Sequence, residues 1–184
     1  MALCRASPSP PPVLSPQRAP PLSLQELVNL LLLGRAVSNV FDGEKRAGGS
    51  DGLLLRGVAP SDAPAPVGFL SLLEAHGHGE VGLTLKRPSA PVWLCYMESH
   101  YSLAFAPRPA GAMPSAEQEQ TFEVVYYDQL ANQDEEIVIS VCPRPPPGAP
   151  AAEHEYGLVP PLEETLRTLW PKASFDWNGS MPLL

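Results

Sequence analysis

Four histidines and three cysteines are the residues of this chain best suited to move a proton or attack a carbonyl near neutral pH. His76-Gly77-His78 has the look of a metal pair. Its glycine falls at an expected helix end, however, and no matching group of cysteines or carboxylates accompanies it, so a capping or surface role is the reading and no metal is expected. His154 stands between Glu153 and Glu155 and reads as a solvated loop residue. His100 differs. It follows Glu98 and Ser99 at the junction of two expected strands, where a tight turn between rigid elements would fix the direction of the imidazole, as general-base catalysis requires. On residue chemistry alone, structural and catalytic roles for His100 both stay open. Neither Ser99 nor Ser102 lies in a GxSxG elbow. Cys95 sits inside an apolar strand, where burial would keep it an inert thiol; Cys142 precedes Pro143 at a strand end, and Cys4 lies in a proline-rich stretch. None of the three opens a helix among small residues, the setting in which backbone dipoles lower a thiol pKa.

The elements that would position His100 are readable from apolar spacing. Ser23 and Glu26 form a capping box with Leu22 and Leu27 as its staple; Leu24, Leu27, Val28 and Leu31 then share a helical face up to Gly34. The remaining leucines of this stretch suggest burial on more than one side. A glycine-rich turn from Asp42 to Gly52 follows, and a second helix is expected over Val67 to His76, stopped by Gly77. Alternation predicts strands at Val81 to Lys86 and Tyr101 to Phe105, and a fuller apolar run predicts one at Val92 to Met97. Two more are expected at Thr121 to Asp128 and Glu136 to Val141, joined as a hairpin through Gln129 to Glu135. Pro160 and Pro161 suit the first turn of a last helix carrying Leu162, Thr165, Leu166 and Leu169 and ending before Pro171. Helices, then a sheet of about five mostly antiparallel strands, then a helix give an α+β class.

A chain of 184 residues with 44% hydrophobic content has room for one domain. Of its 24 prolines, seven crowd into Pro8 to Pro21 and five into Pro143 to Pro150. Residues 1–21 are therefore expected to be a disordered, proline-rich tail, with the fold in residues 22–184. The net charge of −8, with scattered Lys and Arg, leaves no electrostatic footprint for nucleic acid. No apolar run reaches the roughly 20 residues a bilayer span requires, so no membrane partner is expected. An odd cysteine count without CxxC fits a reducing compartment, and the expected location is the cytoplasm, with the nucleus open as a second one. Asn178-Gly179-Ser180 reads as a turn.

Several of these segments together resemble one family. Glu26 to Phe41 (ELVNLLLLGRAVSNVF), Gly68 to Glu74 (GFLSLLE), Val81 to Lys86 (VGLTLK), Pro91 to Ser102 (PVWLCYMESHYS), Tyr126 to Gln133 (YYDQLANQ), Leu158 to Glu163 (LVPPLE) and Trp177 to Ser180 (WNGS) are similar, in order and spacing, to the second half of MINDY deubiquitinases, in the branch of the longer members. The resemblance implies a partial papain-like cysteine-hydrolase fold, a polyubiquitin partner, no cofactor, and for several members a preference for the linkage that directs proteins to the proteasome. It places the catalytic histidine at His100, which would take the proton of a cysteine thiol. By the same resemblance Asp128 is a polar neighbour of that site rather than its assigned orienting residue. The family's nucleophilic cysteine and oxyanion-hole glutamine lie upstream, where this sequence has its proline-rich stretch. Gln129 also stands where the family commonly has glycine, and Gly79 where a bulkier residue is usual. Three readings stay open: part of a thiol-dependent deubiquitinase inactive alone, a non-catalytic ubiquitin-binding module using Trp93, Tyr96, Tyr101 and Phe105, or a piece that folds poorly.

Overall fold

The computed structural model of the chain describes residues 24–49, 51–59, 64–109, 115–131, 133–148 and 158–180. The tail expected over residues 1–21, Cys4 and His154 all lie outside them, as do Ser23 and Leu22 of the expected helix cap. Helix α1 (Leu24–Leu33) leads to a hairpin of β1 (Glu44–Ala47) and β2 (Leu53–Arg56). Then come β3 (Gly68–Ser71), two short helices α2 (Leu72–Ala75) and α3 (Leu83–Lys86), and strands β4 (Val92–Met97), β5 (His100–Phe105), β6 (Phe122–Tyr127) and β7 (Ile137–Cys142). Helix α4 (Pro161–Arg167) and β8 (Ser174–Asp176) complete the order. Strands β3 to β8 form one sheet in chain order, and β1 with β2 form a second. Only the β3–β4 ladder of the six-stranded sheet is parallel. The chain is thus α+β with a mostly antiparallel sheet flanked by helices. Parallel neighbours require a crossover, and α2 and α3 lie within it.

The sheet is packed on both faces. Leu70, Trp93, Cys95, Ala104, Val124, Ile139 and Val141 meet Leu162, Leu166 and Trp170 from α4 and its end in the larger cluster. Phe69 and Leu85 join Val28, Val58 and Val81 in the smaller one. Each fully buried leucine or valine here contributes about 1.5–3 kcal/mol of transfer free energy. Trp177 donates from Nε1 to Glu163 Oε1 at 2.8 Å, and Arg167 Nη2 reaches Glu163 Oε2 at 3.0 Å, so this wholly buried carboxylate is both paired and hydrogen-bonded.

Several expected elements come out differently, each for a physical reason. The helix expected from Val67 is a strand as far as Ser71: Phe69 enters the smaller cluster and Leu70 the larger, so an uninterrupted apolar run serves two faces at period two. The strand expected at Val81 to Lys86 is a helical turn, in which Val81 and Leu85 fall on one side and Leu83 faces out. Its start is capped from far along the chain, since the Thr84 amide donates to Asp42 Oδ2 at 3.2 Å. Gly82 is required there because a Cβ would stand 2.3 Å from Asp42 Oδ1. Helix α1 is where expected, and Gly34 ends it at φ 69°. Its orientation is not as expected: Leu24, Leu27 and Leu31 are exposed, whereas Val28 and Asn29 are buried. Asn29 earns its interior position by donating to the carbonyls of Val37 and Asn39 and accepting from Gln25. Part of the glycine-rich segment is the β1–β2 hairpin, a sheet of its own; in the larger sheet β3 stands in for the strand expected at Val81 to Lys86 and β8 adds an edge strand, so six strands replace the expected five.

Candidate functional site

The turn between β4 and β5 has two residues, closed by the pair Met97 and His100. Glu98 (φ 48°) and Ser99 (φ 66°) are both left-handed, the backbone a type I′ hairpin demands. Asn and Gly usually fill such turns, and an L side chain there costs roughly 1–2 kcal/mol. The tightness of the turn makes His100 the first residue of β5. Strand alternation points it to the same face as Ser102 and Ala104, that of the larger cluster.

On the adjacent strand, Leu103 pairs with Tyr127, so Tyr126 and Asp128 project to the same face as His100 and Ser102. His100 Nε2 lies 2.7 Å from Asp128 Oδ1, with 27% of the histidine side chain and 12% of the aspartate side chain exposed. The carboxylate is held from further sides. The Leu130 amide donates to Oδ1 at 2.8 Å, an Asx turn opening the 3-10 turn Gln129–Ala131, and the Tyr126 hydroxyl donates to Oδ2 at 3.3 Å. Burial pushes the Tyr126 phenol up to about 12; the nearby Ser102 hydroxyl works against that rise and the charge of Asp128 adds to it. Tyr126 therefore remains a hydroxyl donor throughout the neutral range. Gln133 completes the arrangement: its Oε1 accepts from the Asp128 amide at 2.6 Å and its Nε2 donates to the Tyr126 carbonyl at 3.2 Å. His100 Nδ1 has no hydrogen-bond partner among the described residues. A carboxylate-anchored imidazole with its second nitrogen free is equipped to accept a proton.

The other candidates are not brought to this place. Cys95 is wholly buried, its thiol pushed up to about 12 by desolvation, against a smaller lowering from the Ala104 backbone. It pairs with Ser102, two residues from the His100 pair, or about 7 Å along the strand. Cys142 is at the end of β7, where its Sγ lies 3.5 Å from the Glu119 carbonyl. Ser99 is on the exposed turn, and Ser102 is buried beside Tyr126. His76 caps the end of α2 and its Nε2 lies 3.1 Å from Glu164 Oε2, while the His78 backbone bonds to Leu73. Among the described residues no group of three or more His, Cys, Asp or Glu side chains is arranged to hold a metal ion, and no helix is long and apolar enough to cross a membrane. Trp93 is buried in the larger cluster and leaves the aromatic surface expected of it, whereas Tyr96 and Tyr101 are half-buried, with ring centroids 4.9 Å apart.

Sequence reasoning singled out His100 and named Asp128 as a polar neighbour, and the structure brings the two into contact; it did not single out Tyr126 and Gln133 as supports. The available signal was weak: a polar residue two positions beyond an aromatic one at a strand end, followed by a short loop with a glutamine.

The conserved domain described as deubiquitinating enzyme MINDY-3/4 matches residues 18–179. The probable ubiquitin carboxyl-terminal hydrolase MINDY-4 of Homo sapiens is 44% identical over 162 residues, which is 87% of this chain and 20% of that protein. Its Mus musculus counterpart is 45% identical over the same length, 21% of its own chain. The ubiquitin carboxyl-terminal hydrolase MINDY-3 of Mus musculus is 42% identical over 100 residues, covering 54% of this chain and 21% of that protein. This chain thus spans about a fifth of the length of the curated relatives it matches. No solved structure matches it.

Proposed function

This chain belongs to the MINDY-3/4 family of deubiquitinating enzymes, and we propose that it carries the histidine half of a thiol-hydrolase site acting on the carboxyl terminus of ubiquitin. The observation that carries this reading is the 2.7 Å contact between His100 Nε2 and Asp128 Oδ1. On this reading Asp128 accepts the Nε2 proton and holds the ring, so the lone pair of Nδ1 is available to take the proton of a cysteine thiol. The thiolate then attacks the isopeptide carbonyl, the amine leaves with a proton returned from the imidazolium, and water releases the acyl group. Neither Cys95 nor Cys142 is offered as that thiol: the first is buried with its pKa raised, and the second ends a different strand. The chain alone is accordingly proposed to be inactive, and a preference for the proteasome-directing linkage belongs to the assembled site.

The test is reaction of the full chain with ubiquitin carrying a thiol-reactive group at its carboxyl terminus. Controls are His100→Ala and single Cys→Ser substitutions at Cys4, Cys95 and Cys142. The expected result is no adduct. An adduct lost both with one cysteine and with His100→Ala would overturn the proposed inactivity and identify the nucleophile, and a panel of linkage-defined ubiquitin chains would then read the preference. A second reading, a ubiquitin-binding module without chemistry, is favoured by the exposed Leu103 and Tyr127, paired across β5 and β6 on the face opposite His100, and by the exposed Leu130 of the adjoining turn. Saturable ubiquitin binding without an adduct, weakened by Leu103→Asp, supports it.

A further inference from the structure

The last ladder pair between β6 and β7 is Tyr126 with Ile137, yet the backbone of β6 stays ordered two residues further, to the carboxylate that holds His100. Beyond that pair no residue of β7 is opposite Asp128. Its place is taken by a side chain. The Gln133 carboxamide accepts from the Asp128 amide at 2.6 Å and donates to the Tyr126 carbonyl at 3.2 Å. These are the two main-chain bonds, one on each side of Tyr127, that a neighbouring strand would make. On the other side of the same stretch Tyr127 pairs with Leu103 of β5. The strand end is therefore gripped from both edges, by backbone on one and by a single amide on the other.

We propose that Gln133 is a positioning residue: by standing in for the absent strand it fixes the Asp128 backbone, and through the Asp128 carboxylate it fixes which nitrogen of His100 carries the proton. The proposal rests on the reading of His100 as a base. Without Gln133, the Asp128 amide would lose its partner and the Tyr126 carbonyl, laddered with Ile137, would lose a second donor; the loop from Gln129 would be tied to the site only by the Asx turn and by the Ala131 amide donating to the Asp128 carbonyl. A carboxylate that moves by an ångström no longer holds a ring in one tautomer, so Nδ1 would be protonated in part of the population and unable to act as base. Gln133 itself does not contact the imidazole in this arrangement; its role passes through Asp128.

The test reads the imidazole directly in the full chain with nitrogen-15-labelled histidine. In the unaltered protein below the onset of alkaline unfolding, the neutral His100 ring is expected as one tautomer, protonated at Nε2, with that proton protected from exchange. Gln133→Ala is expected to bring in the second tautomer and to speed exchange of the ring proton about tenfold. Gln133→Met, close in size but able to make neither bond, should do the same and decides the matter if the alanine variant fails to fold. Asn39→Ala serves as control, since it removes a comparable bond, from Asn39 Nδ2 to the Arg56 carbonyl, in the β1–β2 region. An unchanged His100 signature in the Gln133 variants, or an equal change in Asn39→Ala, overturns the proposal. Because no ubiquitin is present, loss of the ubiquitin reading through the probe experiment leaves this result standing, and an unchanged signature sinks the clamp alone.

Discussion

At the scale of single residues, the titrating groups near the candidate site make the fold sensitive to alkali. The Cys95 thiol rises from 9.0 to about 12 because it is desolvated in the larger cluster. In the unfolded chain the same thiol ionises near its ordinary value, so between those values the unfolded state binds fewer protons than the folded one, and stability falls as pH rises. The stabilisation is complete below pH 9.0 and is lost progressively towards about pH 12. Its slope approaches about 1.4 kcal/mol per pH unit for one such group. Urea titrations on either side of pH 9 should show this loss, and Cys95→Ala should flatten it; an equally steep loss in the variant would point to other groups. Tyr126, raised by burial, acts in the same direction. The inertness of Cys95 was legible in the sequence because an apolar run around a thiol means burial. The orienting role offered by Asp128 was not, since it depends on the register that sets Leu103 against Tyr127.

Among the elements, the β4–β5 turn is the most exacting. Ser99 holds φ 66° on the surface, and among the described residues none bonds to its side chain. Ser99→Gly should therefore stabilise the fold by about 1 kcal/mol, read as a higher urea midpoint, because glycine accepts the left-handed backbone at no steric cost. A lower midpoint would mean that the hydroxyl or the stiffness of serine matters more than the strain. The hairpin was legible in the sequence, as an apolar run and an alternating one with Glu98, Ser99 and His100 at their junction; that His100 itself opens β5 was not. The elements read wrongly share a cause. Gly68 to Ser71 and Val81 to Lys86 are short apolar stretches, in which periods of two and of 3.6 fit the same few residues, and what decided between them was distant: the β4 ladder for one and the Asp42 carboxylate for the other. In α1, spacing marked the helix but not its buried side, because an asparagine with interior carbonyls to satisfy outweighed three leucines.

For the whole molecule, β3 puts a fully buried side chain into each hydrophobic cluster, Leu70 on one face and Phe69 on the other, and β4 and β5 also face both, reaching the smaller one through the half-buried Leu94, Tyr96 and Tyr101. Such sharing predicts one cooperative transition. Trp93, Trp170 and Trp177 all belong to the larger cluster, so their fluorescence reports that face, while far-ultraviolet circular dichroism reports the whole sheet. The two curves should coincide in urea. Phe69→Ala, which touches only the smaller cluster, should lower the tryptophan-detected stability too, by about 3–5 kcal/mol. Separate transitions would mean that the faces melt independently and would favour a piece that folds poorly by itself. The same architecture carries a kinetic meaning. Strands β4 to β8 lie in the sheet in the order in which they occur in the chain, so every antiparallel partner is the strand made just before. During synthesis the β4–β5 pair, joined by a tight turn, can close as β5 emerges, at little cost in closure entropy; the longer β5–β6 connection costs only slightly more, and the histidine and its carboxylate are brought together before α4 has left the ribosome, whereas β8 pairs only after α4.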